Sequence, residues 1–337
     1  LPAEAARLAK VRSVNPEAHE AYLKGSYHWM KQTPGDIDTA ERYFQLAMAK
    51  SPDYAPAYEG LALVWLSRQN FGITLPQVAG PKAKEEALRA IALDDTSSEA
   101  HAALAMVKGM VDWDWAGSET EWRRALEFDP NAAGAHAFYA NLLMIVGRLD
   151  EALAHNRRSL ELDPFNARFH SMYASTLYYC RRYDEALAVA GQALSLQPED
   201  VGAEGIRQMS WIAKGARTEL LAQQRKRIAK DPERVSAFQQ GLAEGGYEGA
   251  QRRLGDLLAA RYKRADGVPA HINMRVYMPV NIALRYIDAG DYDRAMDWLE
   301  EGYRVRDPLV VCLGKPLYDS LRANPRFQAL ARKLNLP

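Results

Sequence analysis

Small and large apolar residues recur along the chain with a period of 34 residues. In the centre of the chain, residues 147–153 (GRLDEAL) are echoed by residues 181–187 (RRYDEAL). Four prolines stand at the same interval: Pro130, Pro164, Pro198 and Pro232. A period of this length is typical of stacked helical hairpins, in which each repeat buries its apolar face against its neighbours. The pattern therefore predicts an all-α protein in which helices A and B of each repeat alternate.

The packing positions of one repeat carry characteristic residue sizes. Helix A has a large residue at position 4, Leu at position 7, a small residue at position 8 and an aromatic residue at position 11, and helix B has small or bulky packing residues at positions 20, 24 and 27. Proline at position 32 ends helix B. The clearest repeats have, at positions 7, 8, 11, 20 and 27, Tyr139, Ala140, Leu143, Ala152 and Ser159, and then Tyr173, Ala174, Leu177, Ala186 and Ala193.

Several repeats depart from this pattern. Nine residues are inserted around residues 72–81, where we expect a loop between two helices, and the next repeat has one extra residue. Asp95 replaces the proline between these two repeats. After residue 200 the pattern decays, because Arg207 and Gln208 occupy positions that favour Leu and a small residue. The following repeat is truncated and rich in glycine.

These positions predict about eight helix-turn-helix repeats wound into a right-handed superhelical solenoid. The predicted boundaries are 1–17 for the end of a linker helix, 18–308 for the array (regular over 18–200 and 276–308, degenerate over 201–275) and 309–337 for a C-terminal helical cap. The chain begins at Leu1 rather than Met. We therefore expect an excised segment that follows a missing upstream domain.

The composition excludes several classes of function. Lys and Arg together number 43, as do Asp and Glu, so no net charge attracts nucleic acid or an anionic membrane. The apolar stretches are too short and too polar to span a bilayer. The two cysteines, Cys180 and Cys312, are too few for a disulfide framework or a cysteine-based metal site. We find no zinc spacing, phosphate-binding loop or catalytic cluster, and predict no cofactor, no metal and no enzymatic activity.

Several segments resemble one group of tetratricopeptide repeat (TPR) arrays. They are residues 14–18 (VNPEA), 21–29, 112–117 (DWDWAG) and 324–327 (NPRF) followed by Leu330. Such arrays form the C-terminal tails of large bacterial signalling proteins, where they follow a TolB-like segment. The resemblance implies a winged-helix transcriptional regulator, a serine/threonine kinase or an adenylate cyclase as the upstream part.

The outward positions of helix A decide what binds, because helix A lines the concave face of such an array. The groove candidates are the apolar Leu63, Met106, Phe138, Met144, Met172, Tyr178, Tyr179, Ile206 and Met209 and the polar Asn141, Arg168 and Ser175. Soft apolar side chains favour an amphipathic helix or an extended segment as the ligand. Alternatively, the array itself, residues 72–81 or the C-terminal tail covers these residues. A clamp for a C-terminal carboxylate is not favoured, since only Asn141 and Arg168 fit its pattern.

Three histidines, His101, His136 and His170, share position 4 in successive repeats. Equivalent positions of adjacent repeats lie too far apart to share a metal ion, so we interpret these side chains as packing residues. In residues 112–115 (DWDW), we expect the tryptophans to pack inward and the aspartates to cap the next helix.

The repeat pattern favours a non-enzymatic interaction or sensory module, and the resemblance implies that this module belongs to a bacterial signalling protein active in transcriptional regulation. The predicted partner is a protein or peptide, without direct nucleic-acid binding or membrane insertion by this segment. A free-standing scaffold and a self-associating homodimer are the alternatives. We expect a cytoplasmic location, or a periplasmic one if a transmembrane segment lies upstream.

Overall fold

A computed structural model describes residues 15–264 and 278–336 of the chain. Within these ranges the regular elements are all helices, and no strand is present. The α-helices are α1 (Pro16–Lys31), α2 (Pro34–Lys50), α3 (Ala55–Asn70), α4 (Pro76–Leu93), α5 (Ser98–Val107), α6 (Trp115–Phe128), α7 (Ala133–Ile145), α8 (Leu149–Leu162), α9 (Ala167–Tyr179), α10 (Tyr183–Leu196), α11 (Val201–Lys214), α12 (Arg217–Ile228), α13 (Pro232–Arg264), α14 (Pro279–Asp288), α15 (Tyr292–Arg304) and α16 (Pro325–Lys333). A short 3₁₀ helix spans Pro316–Leu321. Most of the expected linker helix, at residues 1–14, and residues 265–275 of the degenerate region lie outside the described residues.

Consecutive helices pack as pairs, and small residues form the contacts. Ala140 and Ala174 at position 8 and Ala152 and Ala186 at position 20 are fully buried. A larger side chain at these places would force the two helices of a pair apart. The predicted all-α fold of helix pairs packed in succession is thus confirmed.

The described residues divide into two compact units. One contains residues 15–112 and 120–128, and the other contains residues 113–119, 129–264 and 278–336. In the first unit, apolar clusters form around Phe44 and around Leu66, between neighbouring helices.

The second unit has a large apolar cluster built from α14, α15 and residues 309–336, which we call the C-terminal segment. Val310, Leu321 and Leu330 of this segment are almost completely buried, and Ile145 at the end of α7 belongs to the same cluster. The predicted C-terminal cap is therefore an integral part of this core.

The DWDW residues are joined to the same cluster. Trp113 and Trp115 pack against it, and the indole Nε1–H of Trp115 donates a hydrogen bond of 2.8 Å to the carbonyl oxygen of Leu334. The predicted inward packing of the tryptophans is confirmed. Asp114 accepts from the backbone N–H of Gly117 and caps α6, whereas Asp112 pairs with Lys84 instead of capping the helix.

The two insertions are absorbed within helices. The single extra residue coincides with a π-helical turn at Lys108–Asp112, which accommodates one residue more than an α-helical turn does. The longer insertion does not form the expected loop over residues 72–81, because α4 begins at Pro76 and continues through Pro81. Pro76 suits the first turn of the helix, where its missing N–H group has no partner to lose, whereas Pro81 lies inside the helix.

The glycine-rich repeat forms a tight hairpin within α13. The backbone leaves helical geometry at Gly245 and Gly246, and Gly246 has a φ of 61°. The two arms then touch, since a Cβ atom added to Gly241 would lie 2.4 Å from the carbonyl oxygen of Gly249. Only glycine permits this approach, so the truncated repeat is a short helix pair.

Among the described helices, none has both the length and the apolar composition needed to cross a bilayer.

Candidate functional site

The second unit contains a cavity of about 230 Å³ between α7, α9 and α11. These are the A helices of three successive repeats. The residues that line the cavity are Phe138, Asn141, Met144, Arg168, Ser171, Met172, Ser175, Thr176, Gly202 and Ile206. Its walls thus combine soft apolar groups with an amide, hydroxyls and one guanidinium.

Seven of the residues predicted for the groove meet in this cavity: Phe138, Asn141, Met144, Arg168, Met172, Ser175 and Ile206. The A-helix positions bring them together because equivalent faces of successive A helices lie side by side. Asn141 and Arg168, the two residues that fit the pattern of a carboxylate clamp, are both among them. Ser171, Thr176 and Gly202 were not among the groove candidates, and only their spacing of four residues from Ser175, Met172 and Ile206 could have indicated them.

The other predicted residues lie elsewhere. Tyr178 is 1% exposed and Tyr179 is 6% exposed, and both lie beneath the C-terminal segment. Gly314 packs close to the ring of Tyr179, and the backbone of Leu317 hydrogen-bonds Tyr178.

Three further candidates are half-buried and do not line the cavity: Leu63, Met106 and Met209. Met209 lies on α11, whereas Leu63 and Met106 belong to the first compact unit.

Arg168 provides the positive charge of the cavity. Its guanidinium lies 4.8 Å from the centre of the Phe138 ring, a cation–π distance. Burial lowers the pKa of Arg168 to about 10, and the carboxylate of Asp200 opposes this shift. Arg168 therefore stays charged at neutral pH. Asp200 is itself fixed as the N-cap of α11, accepting from the backbone N–H of Ala203 at 2.6 Å.

The hydroxyl groups of α9 form the polar part of the lining. The Ser175 hydroxyl lies 3.6 Å from the sulfur of Met144, and Thr176 accepts a 2.7 Å hydrogen bond from the Asn156 amide. A Cβ atom on Gly202 would lie 2.6 Å from the Ser171 hydroxyl oxygen. Glycine at this position therefore keeps the α11 side of the cavity open.

The size of the cavity favours a side chain over a cofactor. Clefts that bury a small-molecule ligand typically measure roughly 300–1,000 Å³. The described residues contain no group of three or more His, Cys, Asp or Glu side chains placed to hold a metal ion.

The repeated histidines bind protein groups. The Nε2–H of His101 donates to the carbonyl oxygen of Asp95 at 3.0 Å, and that of His136 donates to Pro130 at 3.1 Å. Nδ1 of His101 faces the Glu121 carboxylate at 2.7 Å in a nearly fully buried pair. The Lys108 ammonium binds the same carboxylate, and hydrogen bonds from both neighbours lower the pKa of Glu121 against the opposing effect of burial.

Comparison with known proteins agrees with this architecture. No protein-family model matches the chain. Among solved structures, the human IFIT1 dimer with m7Gppp-AAAA has a TM-score of 0.55 at 13% identity, covering 81% of this chain and 69% of that one. The repeat is TPR-like. Two TPR proteins are also similar: YrrB, with an unusual peptide-binding site (TM-score 0.35, 20% identity, 58% of this chain and 92% of that one), and the thermophilic TTC0263 of Thermus thermophilus (TM-score 0.46, 18% identity, 58% and 99%).

A curated relative by sequence is the transcriptional regulator HilA of Salmonella typhimurium. It is 28% identical over 132 residues, which correspond to 39% of this chain and 24% of HilA. The HilA proteins of Salmonella typhi and Salmonella paratyphi A match with the same figures. The chain thus matches about a quarter of the length of these relatives.

Proposed function

We propose that the chain is a non-enzymatic protein-interaction module that binds a peptide segment of a protein partner in the cavity between α7, α9 and α11. The observation that carries this proposal is that three successive A helices contribute to one cavity. A continuous surface across several repeats is the feature through which helical repeat proteins hold extended ligands.

The lining indicates the chemistry of the bound segment. Met144, Met172 and Ile206 offer an apolar surface that adapts to the shape of an inserted aliphatic or aromatic side chain. Arg168 and Asn141 offer donors to a carboxylate or a backbone carbonyl beside it. A segment with an apolar residue close to an acidic residue satisfies both parts of the cavity.

The partial similarity to HilA favours a role in transcriptional regulation. In this role, occupancy of the cavity would bias an effector domain elsewhere in a larger bacterial protein. Such coupling requires that the partner bind one conformation of the array better than another. We expect the module to act in the cytoplasm.

The test uses peptides selected against the purified chain from a random library, with affinity measured by isothermal titration calorimetry. Met172→Glu places a charge on the apolar wall and should weaken binding by about tenfold or more. Phe165→Glu is the matched control, because Phe165 is 80% exposed and does not line the cavity. Failure to select any peptide, or equal affinities for the Met172 variant and the wild type, would refute the proposal.

A further inference from the structure

The repeat formed by α11 and α12 has polar side chains where the other repeats pack small residues. At position 27 it has Arg227. The corresponding residues of five other repeats are Ala47, Ala90, Ala125, Ser159 and Ala193, all fully buried. Arg207 and Gln208 occupy positions 7 and 8 of the same repeat, and Gln224 occupies position 24. The apparent decay of the sequence pattern thus concentrates long polar side chains at one inter-helix contact.

These side chains form a connected group with residues of α13 and α14. Arg227 donates a hydrogen bond to the amide oxygen of Gln208. From α14, Arg285 Nη1 donates to the amide oxygen of Gln251 at 2.7 Å and to that of Gln224 at 3.3 Å. Within residues 15–264 and 278–336, the guanidiniums of Arg227 and Arg285 hydrogen-bond amide oxygens and no carboxylate.

Several donors of the repeat formed by α11 and α12 have no hydrogen-bond partner among the described residues. Gln224 is only 2% exposed, and its Nε2 has none. The same holds for Nε2 of Gln223, Nε of Arg207 and the fully buried hydroxyl of Ser210. A buried polar group left without a partner destabilises the fold, so the unpartnered amide of Gln224 inside this group indicates that something else binds it.

The electrostatics of the group favour an anion. Arg227 is exposed as a whole residue, but its guanidinium group lies among other side chains. Burial of this group, and then the positive charges of Arg285 and Arg234, lower the pKa of Arg227 to about 10. Glu204 opposes this shift, but its carboxylate already pairs with Arg207.

A second carboxyl group, that of Asp288, lies near Arg285. Burial raises the pKa of Asp288 to about 6, and the positive charge of Arg285 partly opposes this effect. Positive charge nevertheless accumulates at Arg227 and Arg285, because the groups that accept their hydrogen bonds are neutral amide oxygens.

We propose that this polar group is a binding site for a phosphate-type oxyanion, with the guanidiniums of Arg227 and Arg285 and the side-chain amide of Gln224 as donors. Planar guanidiniums match the oxygen spacing of phosphate, and two of them balance a dianion. The amide of Gln224 gives the site a buried neutral donor. The site lies on different residues from the peptide cavity and does not depend on the function proposed for that cavity.

The experiment is a calorimetric titration of the purified chain with inorganic phosphate and, separately, with phosphoserine, at constant ionic strength maintained with sodium chloride. One saturable site is expected. Arg227→Gln should weaken binding by about tenfold or more, because it removes a charge-assisted hydrogen bond to the anion. Tighter binding of phosphoserine assigns the site to a phosphoryl group on a larger molecule, and tighter binding of phosphate assigns it to the free ion.

The matched control is Arg225→Gln, since Arg225 is an exposed residue of equal charge on the same helix. It should retain wild-type affinity. Gln224→Met tests the buried donor with a side chain of similar volume and should also weaken binding, and circular dichroism verifies the helical content of each variant. The proposal is overturned if the wild type shows no saturable binding of either probe, if the Arg225 variant loses as much affinity as the Arg227 variant, or if both folded site variants bind normally.

Discussion

The Nε2–H group of His170 donates a hydrogen bond of 2.8 Å to the carbonyl oxygen of Pro164, six residues earlier in the chain. Position 4 of helix A thus binds the carbonyl group of position 32 in the preceding repeat. Tyr58 makes the same connection through its hydroxyl, 2.8 Å from the carbonyl oxygen of Pro52. Because the acceptor is a backbone carbonyl, Asp95 can stand in place of proline without loss of this bond.

This relationship predicts which substitutions the repeats tolerate. His170→Phe removes the donor and should lower the free energy of unfolding by about 1 kcal/mol, the usual net contribution of one hydrogen bond. His170→Tyr should retain most of the stability, since Tyr58 shows that a tyrosine hydroxyl reaches the carbonyl. Urea denaturation of the three proteins provides the comparison. Equal stabilities of the Phe and Tyr variants would show that the hydrogen bond contributes nothing.

A pair of histidines predicts a loss of stability in acid. Nδ1 of His136 and Nδ1 of His155 are 2.8 Å apart, and His136 already uses its Nε2–H on Pro130. The two Nδ1 atoms therefore share one proton in a single hydrogen bond. Burial, followed by the charge of His136, lowers the pKa of His155 below its ordinary value of 6.5.

Since the folded state of His155 binds a proton less readily than the unfolded state does, its contribution to stability is complete above pH 6.5 and is lost as the pH falls below that value. The slope should not exceed about 1.4 kcal/mol per pH unit for this group. His155→Gln should make the unfolding free energy less dependent on pH between 7.5 and 5.5 in urea denaturation. An unchanged pH dependence in this variant would contradict the assignment.

Glu59 predicts the opposite dependence in the first compact unit. It is 3% exposed, and burial raises its pKa to about 8, although the Ser97 hydroxyl donates a 2.8 Å hydrogen bond to it. Its contribution to stability is therefore complete below its ordinary pKa of 4.5 and is lost as the pH rises toward 8.

Glu59→Gln retains the shape of the side chain and an oxygen that accepts the hydrogen bond from Ser97, but the amide group does not titrate. It should stabilise the protein by about 3 kcal/mol at pH 7 and have little effect at pH 4. Thermal unfolding at the two pH values measures this difference. Glu127→Gln, at an exposed position of α6, should be neutral at both. A similar response of the two variants would exclude a special role for burial at Glu59.

Two glycines on α11 distinguish an effect on the cavity from an effect on the helix. Gly202→Ala places a methyl group against the Ser171 hydroxyl, whereas a Cβ atom on Gly205 meets no atom within 4 Å. Gly205→Ala should stabilise the helix by about 0.5–1 kcal/mol, whereas the close contact with Ser171 offsets this gain in Gly202→Ala. Only Gly202→Ala should weaken binding of a selected peptide, by about 1 kcal/mol or fivefold, in a calorimetric titration. If the Gly205 variant loses affinity equally, the cavity is not where the peptide binds.

The sequence predicted best the contacts within one repeat and between adjacent repeats. The small residues at positions 8 and 20, such as Ala140 and Ala152, identify the helix pairs because helices can approach closely only there. The same period placed Phe138, Met144 and Met172 on one surface. These contacts recur from repeat to repeat, so one pattern describes many of them.

Contacts between distant parts of the chain could not be predicted in this way. Tyr178 and Tyr179 look like groove residues in the repeat pattern, but the C-terminal segment covers them, and no periodicity relates that segment to α9. Arg207 and Gln208 looked like failed packing residues, since the pattern records only the loss of apolar character, and it assigned no role to Arg227 and Gln224. The role of Arg227 and Gln224 depends on Arg285 of α14, which lies outside their own repeat.

The hydrogen bond from Trp115 to the carbonyl group of Leu334 spans 219 residues of sequence. An ordinary repeat array can gain or lose a repeat because each one contacts only its neighbours. In the second unit, an added or deleted helix pair would displace Leu334 from Trp115, so the number of repeats between them is fixed. On the ribosome, this core closes only after Leu334 has emerged, 219 residues after Trp115, and its high contact order should make folding slow compared with that of an array without such a contact.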